Sequence, residues 1–261
     1  MPFTRAVVRP PAENFAAGLS SATEGPPDVS RALEQHARYV DALRDCGLGV
    51  TCLEADARYP DGTFVEDTAI VTARGAVLAR PGAPSREGEV RGMVACLRNF
   101  YQELPAIEPP GTVDGGDVCE ADGHFLIGIS ARTNAHGARQ LAEHLARFEY
   151  TSSVIDIRSN SSLLHLKSGI AYLGDGLWAA DGSIRDALES QSAIGVRDLI
   201  MVSPAEAYAA NCVRVNDAIL VAAGYPLISA ALERRGCRVV QLEMSEFRKM
   251  DGGLSCLSLR F

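Results

Sequence analysis

A closed ring of five strand, strand, helix, strand modules, an α/β propeller around a central channel, is the fold class predicted for this chain of 261 residues. Three observations predict it. A short apolar strand, a turn of Gly, Asp or Asn and a second apolar strand recur four times. A helix and a further apolar strand follow most of these hairpins. Corresponding points, Glu66, Gly115, His165, Asn211 and Gly253, lie 49, 50, 46 and 42 residues apart. A ring is preferred to an open α+β sheet because closure removes the exposed edges that a linear stack leaves.

Taken in order, residues 5–8 read as a strand, and 13–27 form the longest irregular stretch, of the kind that gates a cavity. Leu33, Ala37, Val40 and Leu43 make an amphipathic helix ending near Gly47, before a strand at 50–53. The four hairpins fall at 68–72 with 76–78, 118–121 with 125–129, 170–173 with 177–180, and 212–215 with 218–221. Their turns, Ala-Arg-Gly, Asp-Gly-His, Gly-Asp-Gly and Asn-Asp, are built from residues that tolerate positive φ. Val90, Met93, Val94, Leu97 and Phe100 share one helical face, as do Ala138, Leu141, Leu145 and Phe148 behind Asn134 as N-cap. A short helix follows at 183–189, and another begins at Pro226 and ends at Gly236. Strands at 153–157, 199–202 and 239–242 complete these units. The strand at 5–8 lacks a hairpin partner, and a C-terminal strand at 254–259 supplies it if the two ends meet. No linker divides the chain, so residues 1–261 are expected to form a single domain.

Composition bounds the function. Hydrophobic residues at 47% and charged residues at 22% exclude disorder. Lys and Arg number 25 against 33 Asp and Glu, a net charge of −8, so neither phosphate backbones nor anionic membranes attract the chain. No apolar run of about 18 residues spans a bilayer and the first thirty residues lack a signal-type apolar core, which predicts a cytoplasmic protein. The seven cysteines form no C-x-x-C pair, so no disulfide framework and no zinc site is expected, and most should be reduced, buried and inert.

The residues that carry chemistry sit at strand entry in every module: Glu66 and Asp67, Asp114 to Asp117, His165, Asn211, and Ser255 with Cys256. In a pseudo-symmetric ring such positions converge. A cysteine, a histidine and several carboxylates in one cavity supply a nucleophile, a general acid/base and a cation-binding set. Singly, a cysteine in an apolar strand is more often core and a histidine more often a surface group; the shared register favours the functional reading.

The segments 60–67 (PDGTFVED), 80–82 with Ser85 and Arg86, 111–117 (GTVDGGD), 130–134 (SARTN), 164–167 (LHLK) and 251–256 (DGGLSC) resemble, in order and over nearly the whole chain, the dimethylarginine dimethylaminohydrolase family. The resemblance implies the five-bladed pentein fold and hydrolysis of Nω-methylated L-arginines, such as asymmetric dimethylarginine and monomethylarginine. The products are citrulline and methylamine or dimethylamine, formed through a covalent thiouronium adduct with no metal or organic cofactor. It implies Cys256 as nucleophile, His165 as general acid and then base, and Asp67 and Asp114 as the carboxylates that hold the guanidinium, with Asp114 in the catalytic set. Glu66 supports them, Arg86 and Arg132 clamp the substrate carboxylate, and Asp61 receives the α-amino group. Phe64 packs on the ligand, Leu19 belongs to a covering loop, and Ser255 adjoins the nucleophile in the binding set. Related bacterial enzymes often carry Glu where Asp114 stands, which leaves open whether Asp114 or Asp117 is the nearer guanidinium contact. The expected partner is a small molecule, with no nucleic acid, no membrane, and a homodimer left open.

Three other readings compete. Arginine deiminase or amidinotransferase chemistry would use the same residues, although those families usually have longer chains. A non-catalytic pentein binding module would not need Cys256, His165 and the acidic pair. A cysteine amidase of another fold would not set paired carboxylates against a developing oxyanion.

Overall fold

The computed structural model describes residues 2–191 and 193–261. Along the chain, β1 (Arg5–Val8), α1 (Val29–Asp45) and β2 (Gly49–Cys52) are followed by β3 (Ala69–Val71), β4 (Ala76–Leu78) and α2 (Val90–Leu97). Then come β5 (Val118–Ala121), β6 (His124–Ile129), α3 (Ala135–Arg147) and β7 (Thr151–Asp156). The next group is α4 (Leu166–Gly169), β8 (Ile170–Gly174), β9 (Leu177–Asp181), α5 (Arg185–Glu189) and β10 (Asp198–Val202). The last comprises β11 (Val213–Val215), β12 (Ala218–Ala222), α6 (Pro226–Glu233), β13 (Arg238–Leu242), α7 (Ser245–Arg248) and β14 (Leu259–Arg260).

The strands form five small sheets of one design, an antiparallel pair with a parallel strand beside its second member. β6 pairs antiparallel with β5 and parallel with β7, β9 likewise with β8 and β10, and β12 with β11 and β13. In the sheet of both chain ends, β1 pairs antiparallel with β14 and parallel with β2, so the expected meeting of the termini is found. β3 and β4 stand as a two-stranded sheet, with one parallel bridge from Leu78 to Ala106 in the third position.

The chain divides into two compact units, one made of the chain up to Val65 with Asn211–Phe261, the other of Glu66–Ala210. The first holds the sheet of the chain ends and that of β11, β12 and β13. Its α1 is capped by Asp28, whose carboxylate accepts the Arg31 N–H at 3.0 Å. The helix buries Ala32, His36, Tyr39, Val40 and Leu43, whereas Leu33 and Ala37 face solvent. The predicted face is therefore turned by about one residue. Tyr39 is decisive, since its hydroxyl lies 2.6 Å from the Ser258 Oγ in the interior and draws the 32, 36, 39, 43 stripe inward.

The second unit holds the other three sheets. Alternate residues of β6 enter different apolar clusters, Phe125, Ile127 and Ile129 with Leu141 and Leu145 of α3, and Leu126 with Leu166, Ile170 and Trp178. This is the period-two alternation of a strand buried on both faces. Asn134 caps α3, its Oδ1 accepting the Gly137 N–H at 2.8 Å, as expected.

Two local expectations fail. The hairpin turns at Asp122-Gly123, Asp175-Gly176 and Asn216 adopt positive φ, but that at 73–75 does not; there the Thr72 hydroxyl accepts the Arg74 and Gly75 N–H groups and makes the turn by itself. The expected strand at 254–259 shrinks to Leu259–Arg260, because Ser255–Leu257 is a 3-10 turn. A 3-10 turn also opens the modules at Val65–Thr68, Gly115–Asp117 and Pro204–Ala210, and the one-turn helix α4, Leu166–Gly169, takes its place in the remaining one.

Candidate active site

The strand-entry side chains lie on or beside these short turns, which aim them off the sheets instead of along them. In the second unit four expected residues come together. Asp114 follows Val113, whose N–H bonds the Arg80 carbonyl, and its own N–H bonds the Thr133 hydroxyl. The fully buried carboxylate accepts the Gly82 N–H at 2.7 Å on Oδ1 and meets His165 Nε2 at 3.0 Å through Oδ2. Gly116 lies against the imidazole, so closely that a Cβ there would stand 2.8 Å from the ring. Asp67 accepts the Gly116 N–H at 2.8 Å and the Arg86 guanidinium at 2.6 Å.

Charge in this cluster is mutually adjusted. Burial opposes a charged His165, but Asp67, Asp114 and Asp117 outweigh it and raise the imidazole to about 9, so it is an imidazolium at neutral pH. Burial likewise opposes ionisation of Asp67, but His165, Arg86 and the Gly116 N–H hold its carboxyl down at about 2. Asp114 and Asp117 are distinguished by their partners. Asp117 accepts the Ser130 hydroxyl at 2.6 Å and the Leu166 N–H at 2.9 Å, anchoring the chain one residue beyond His165, and burial raises its carboxyl. Asp114 is thus the carboxylate on the imidazole, and Asp117 the one that fixes the backbone carrying it.

Arg86 is held more firmly than the sequence suggests. Besides Asp67, it makes a two-pronged pair with Glu89, from Nε at 3.0 Å and Nη2 at 2.8 Å, and all three side chains are buried. Arg132 differs. It is half-buried, its backbone N–H bonds the Ser130 hydroxyl, and its guanidinium has no hydrogen-bonding or ionic partner among the described residues. Glu66 takes the Lys167 ammonium at 2.5 Å. Glu89, Lys167 and Ser130 are partners that sequence reasoning missed as such. Only Glu89 carried a usable signal, its i, i+3 spacing from Arg86.

In the first unit Asp61 accepts the Leu19 N–H at 3.0 and 3.1 Å on its two oxygens. Gly18 permits this, because a Cβ there would fall 2.4 Å from the carboxylate. Phe64 packs in a trio with Phe15 and Phe247, at centroid distances of 5.9 and 6.4 Å, and its ring lies against Gly252. Segment 13–27 is tied down through Leu19, through Ser21 on Asp251 and through Glu24 on Arg248. Cys256 stands on the last turn, with the Gly253 N–H directed at Sγ at 3.4 Å. Of the other cysteines, Cys46, Cys96, Cys119 and Cys212 are buried, and burial pushes the Cys119 and Cys212 thiols up to about 11 and about 12.

Asp67, Asp114 and His165 offer ligand atoms within 4.8 Å of one another, a spacing that could hold a metal ion. Their chemistry does not fit one. A protonated imidazole has no lone pair to give, and a metal ion would have to displace a proton that the surrounding carboxylates favour. The cluster is suited to orienting and protonating a hydrogen-bonding substrate.

Five sheets of one pattern, with an imidazolium between carboxylates at the module entries and a cysteine at the last, define a pentein of the guanidine-modifying class. The family model described as arginine deiminase matches residues 59–175. The N(G),N(G)-dimethylarginine dimethylaminohydrolase of Pseudomonas aeruginosa is 42% identical, over 99% of this chain and all of its own, and that of Streptomyces coelicolor 31% identical over 100% and 98%. The structure of the Pseudomonas enzyme, a cysteine-to-serine mutant complexed with citrulline, superposes with a TM-score of 0.94 at 41% identity, covering both chains entirely. The N-terminal domain of the cyanobacterial arginine dihydrolase ArgZ shares the fold at 20% identity, with a TM-score of 0.87 over 100% of this chain and 97% of that one. This chain belongs to the dimethylarginine dimethylaminohydrolase family.

Proposed function

We propose that the protein hydrolyses Nω-methylated L-arginines to L-citrulline and dimethylamine or methylamine, as a single cytoplasmic domain with a small molecule as its partner. The observation that carries this is the full-length likeness to the Pseudomonas enzyme, joined to a buried imidazolium flanked by carboxylates. The guanidinium carbon is a poor electrophile, because its charge is spread over three nitrogens, so both a thiolate and a proton for the departing amine are required.

Cys256 Sγ attacks that carbon. His165, charged in the resting protein, gives its proton to the departing amine nitrogen as the C–N bond breaks, leaving an S-alkylthiouronium on Cys256. The imidazole, now neutral, takes a proton from water; the hydroxide adds to the same carbon, and as the C–S bond breaks the added hydroxyl loses its proton to the released amine, leaving citrulline, the alkylammonium ion and the thiolate. Asp114 holds His165 in place for both transfers. Asp67 and Asp114 orient the guanidinium nitrogens, with Glu66 held behind them by Lys167. Arg132 receives the substrate carboxylate together with an Arg86 already fixed by Asp67 and Glu89, and Asp61 receives the amino group beneath Leu19, with Phe64 beside it.

The test is to incubate the pure protein with asymmetric dimethylarginine, monomethylarginine, arginine and agmatine and to measure citrulline and free amine. Citrulline with dimethylamine or methylamine in equal amounts is expected. Citrulline and ammonia from arginine alone would make it an arginine deiminase, the reading that the match over residues 59–175 also allows. No turnover of any of the four would leave a binding module.

A further inference from the structure

Asn211, two residues before β11, is a strand-entry residue that the proposed reaction does not use. Its buried carboxamide is joined to Ser255 at both ends. The Ser255 backbone N–H donates to Oδ1 at 2.9 Å, and Nδ2 donates to the Ser255 Oγ at 3.0 Å. Because a backbone N–H can only donate, the amide orientation is settled by this pairing, with Nδ2 necessarily on the hydroxyl. The approach is close enough to require glycine at 253, where a Cβ would lie 2.6 Å from Asn211 Cγ and Oδ1.

The consequence falls on sulfur. The Ser255 Oγ is 3.9 Å from Cys256 Sγ, and the Gly253 N–H is 3.4 Å from it. Nδ2–H occupies one oxygen lone pair, and against a thiolate, which has no proton to give, the Ser255 hydroxyl is the donor to Sγ. Hydrogen bonds donated to a sulfur favour its thiolate over its thiol. We propose that Asn211 is a positioning residue for the nucleophile: by clamping Ser255 it aims the serine hydroxyl, beside the Gly253 N–H, at Cys256 Sγ and sustains the attacking thiolate. This rests on Cys256 being the nucleophile.

The experiment is iodoacetamide alkylation as a function of pH, read on the Cys256 peptide by mass spectrometry, with kcat and KM for asymmetric dimethylarginine. It is run on the wild type, Asn211→Asp, Ser255→Ala and the double variant. Asp keeps the acceptor for the Ser255 N–H but takes the hydroxyl proton for itself, turning it from sulfur. Both single variants should raise the midpoint of the alkylation profile by roughly half a unit to one unit. Each should lower kcat at neutral pH roughly three- to tenfold with KM within about twofold. The Asn211→Asp shift should be smaller in the Ser255→Ala background, because part of it acts through the hydroxyl. A shift of equal size with and without the hydroxyl, or no shift at unchanged thermal stability, overturns the inference; Asn211→Ala carries the same cycle should Asn211→Asp unfold. If wild-type Cys256 reacts no faster than the exposed Cys52, the assignment of the nucleophile falls and this inference with it. A reactive Cys256 indifferent to Asn211 removes this inference alone.

Discussion

Arg86 and Arg132, matched from the sequence to one task, differ physically in the folded chain. Removing Arg86 leaves the buried carboxylates of Asp67 and Glu89 without their cation, so Arg86→Ala is expected to cost about 3–5 kcal/mol in urea unfolding. Arg132→Ala should change stability by less than about 0.5 kcal/mol, since its guanidinium has no partner among the described residues. It should instead remove discrimination between methylarginine and agmatine, which lacks the carboxylate. A charge-assisted contact of about 1.5–3 kcal/mol predicts that wild-type kcat/KM for agmatine is one to two decades lower, and that the gap narrows in Arg132→Ala. Equal use of both compounds by the wild type would refute the clamp. At Cys256, serine should leave less than about one per cent of turnover with the fold intact, because a hydroxyl is a far weaker nucleophile at the same pH. At His165 the raised value of about 9 makes the acid form available through neutral pH, so kcat/KM should fall above about pH 9. Asp114→Asn, which loses the negative charge on Nε2, should bring that alkaline limb to lower pH; an unmoved limb would detach it from His165.

The short helical turn at each module entry is the element the strand pattern concealed. Four 3-10 turns and the short α4 hold the polar residues in a geometry that a regular strand, alternating faces every residue, cannot offer. Gly115 and Gly116 make one of them possible: a Cβ on Gly115 would stand 2.0 Å from the Glu66 carbonyl oxygen, and one on Gly116 would press on the imidazole. Gly116→Ala is therefore expected to displace His165 from Asp114. It should lower kcat well beyond any change in KM while urea unfolding stays cooperative, and wild-type kcat in this variant would show that the ring has room to move. The hairpins and helices were legible because each is a local pattern, as with Asn134 before α3. The face of α1 was misread because two stripes of similar apolarity compete in its sequence, and a tertiary contact of Tyr39 selects one.

For the whole molecule, the buried ion group sets how stability follows pH. His165 has its folded value raised from 6.5 to about 9, so its contribution is complete below about pH 6.5 and is lost as pH rises through about 9. Asp67 is lowered from 3.8 to about 2, so its contribution is complete above 3.8 and is lost as pH falls towards about 2. Asp117, raised by burial, runs the other way and weakens the fold as it ionises. Urea midpoints should accordingly be higher near pH 6 than near pH 3 or pH 10. Asp67→Asn should flatten the acid side, and an unchanged acid slope would show that Asp67 is not its source.

By itself the sequence determined the number and design of the modules, because short-range periodicity and turn chemistry are local. It also singled out the candidates for chemistry, because reactive side chains recurring at one register across the modules do not suit an inert apolar core. Only the tertiary structure decided what each polar residue touches. That Asp114 rather than Asp117 meets His165, that Arg86 is locked to Glu89, and that Asn211 bonds Ser255 are contacts across 3 to 51 positions of chain. Hydrogen-bond direction and burial choose among such partners, and neither is written in the spacing of the residues.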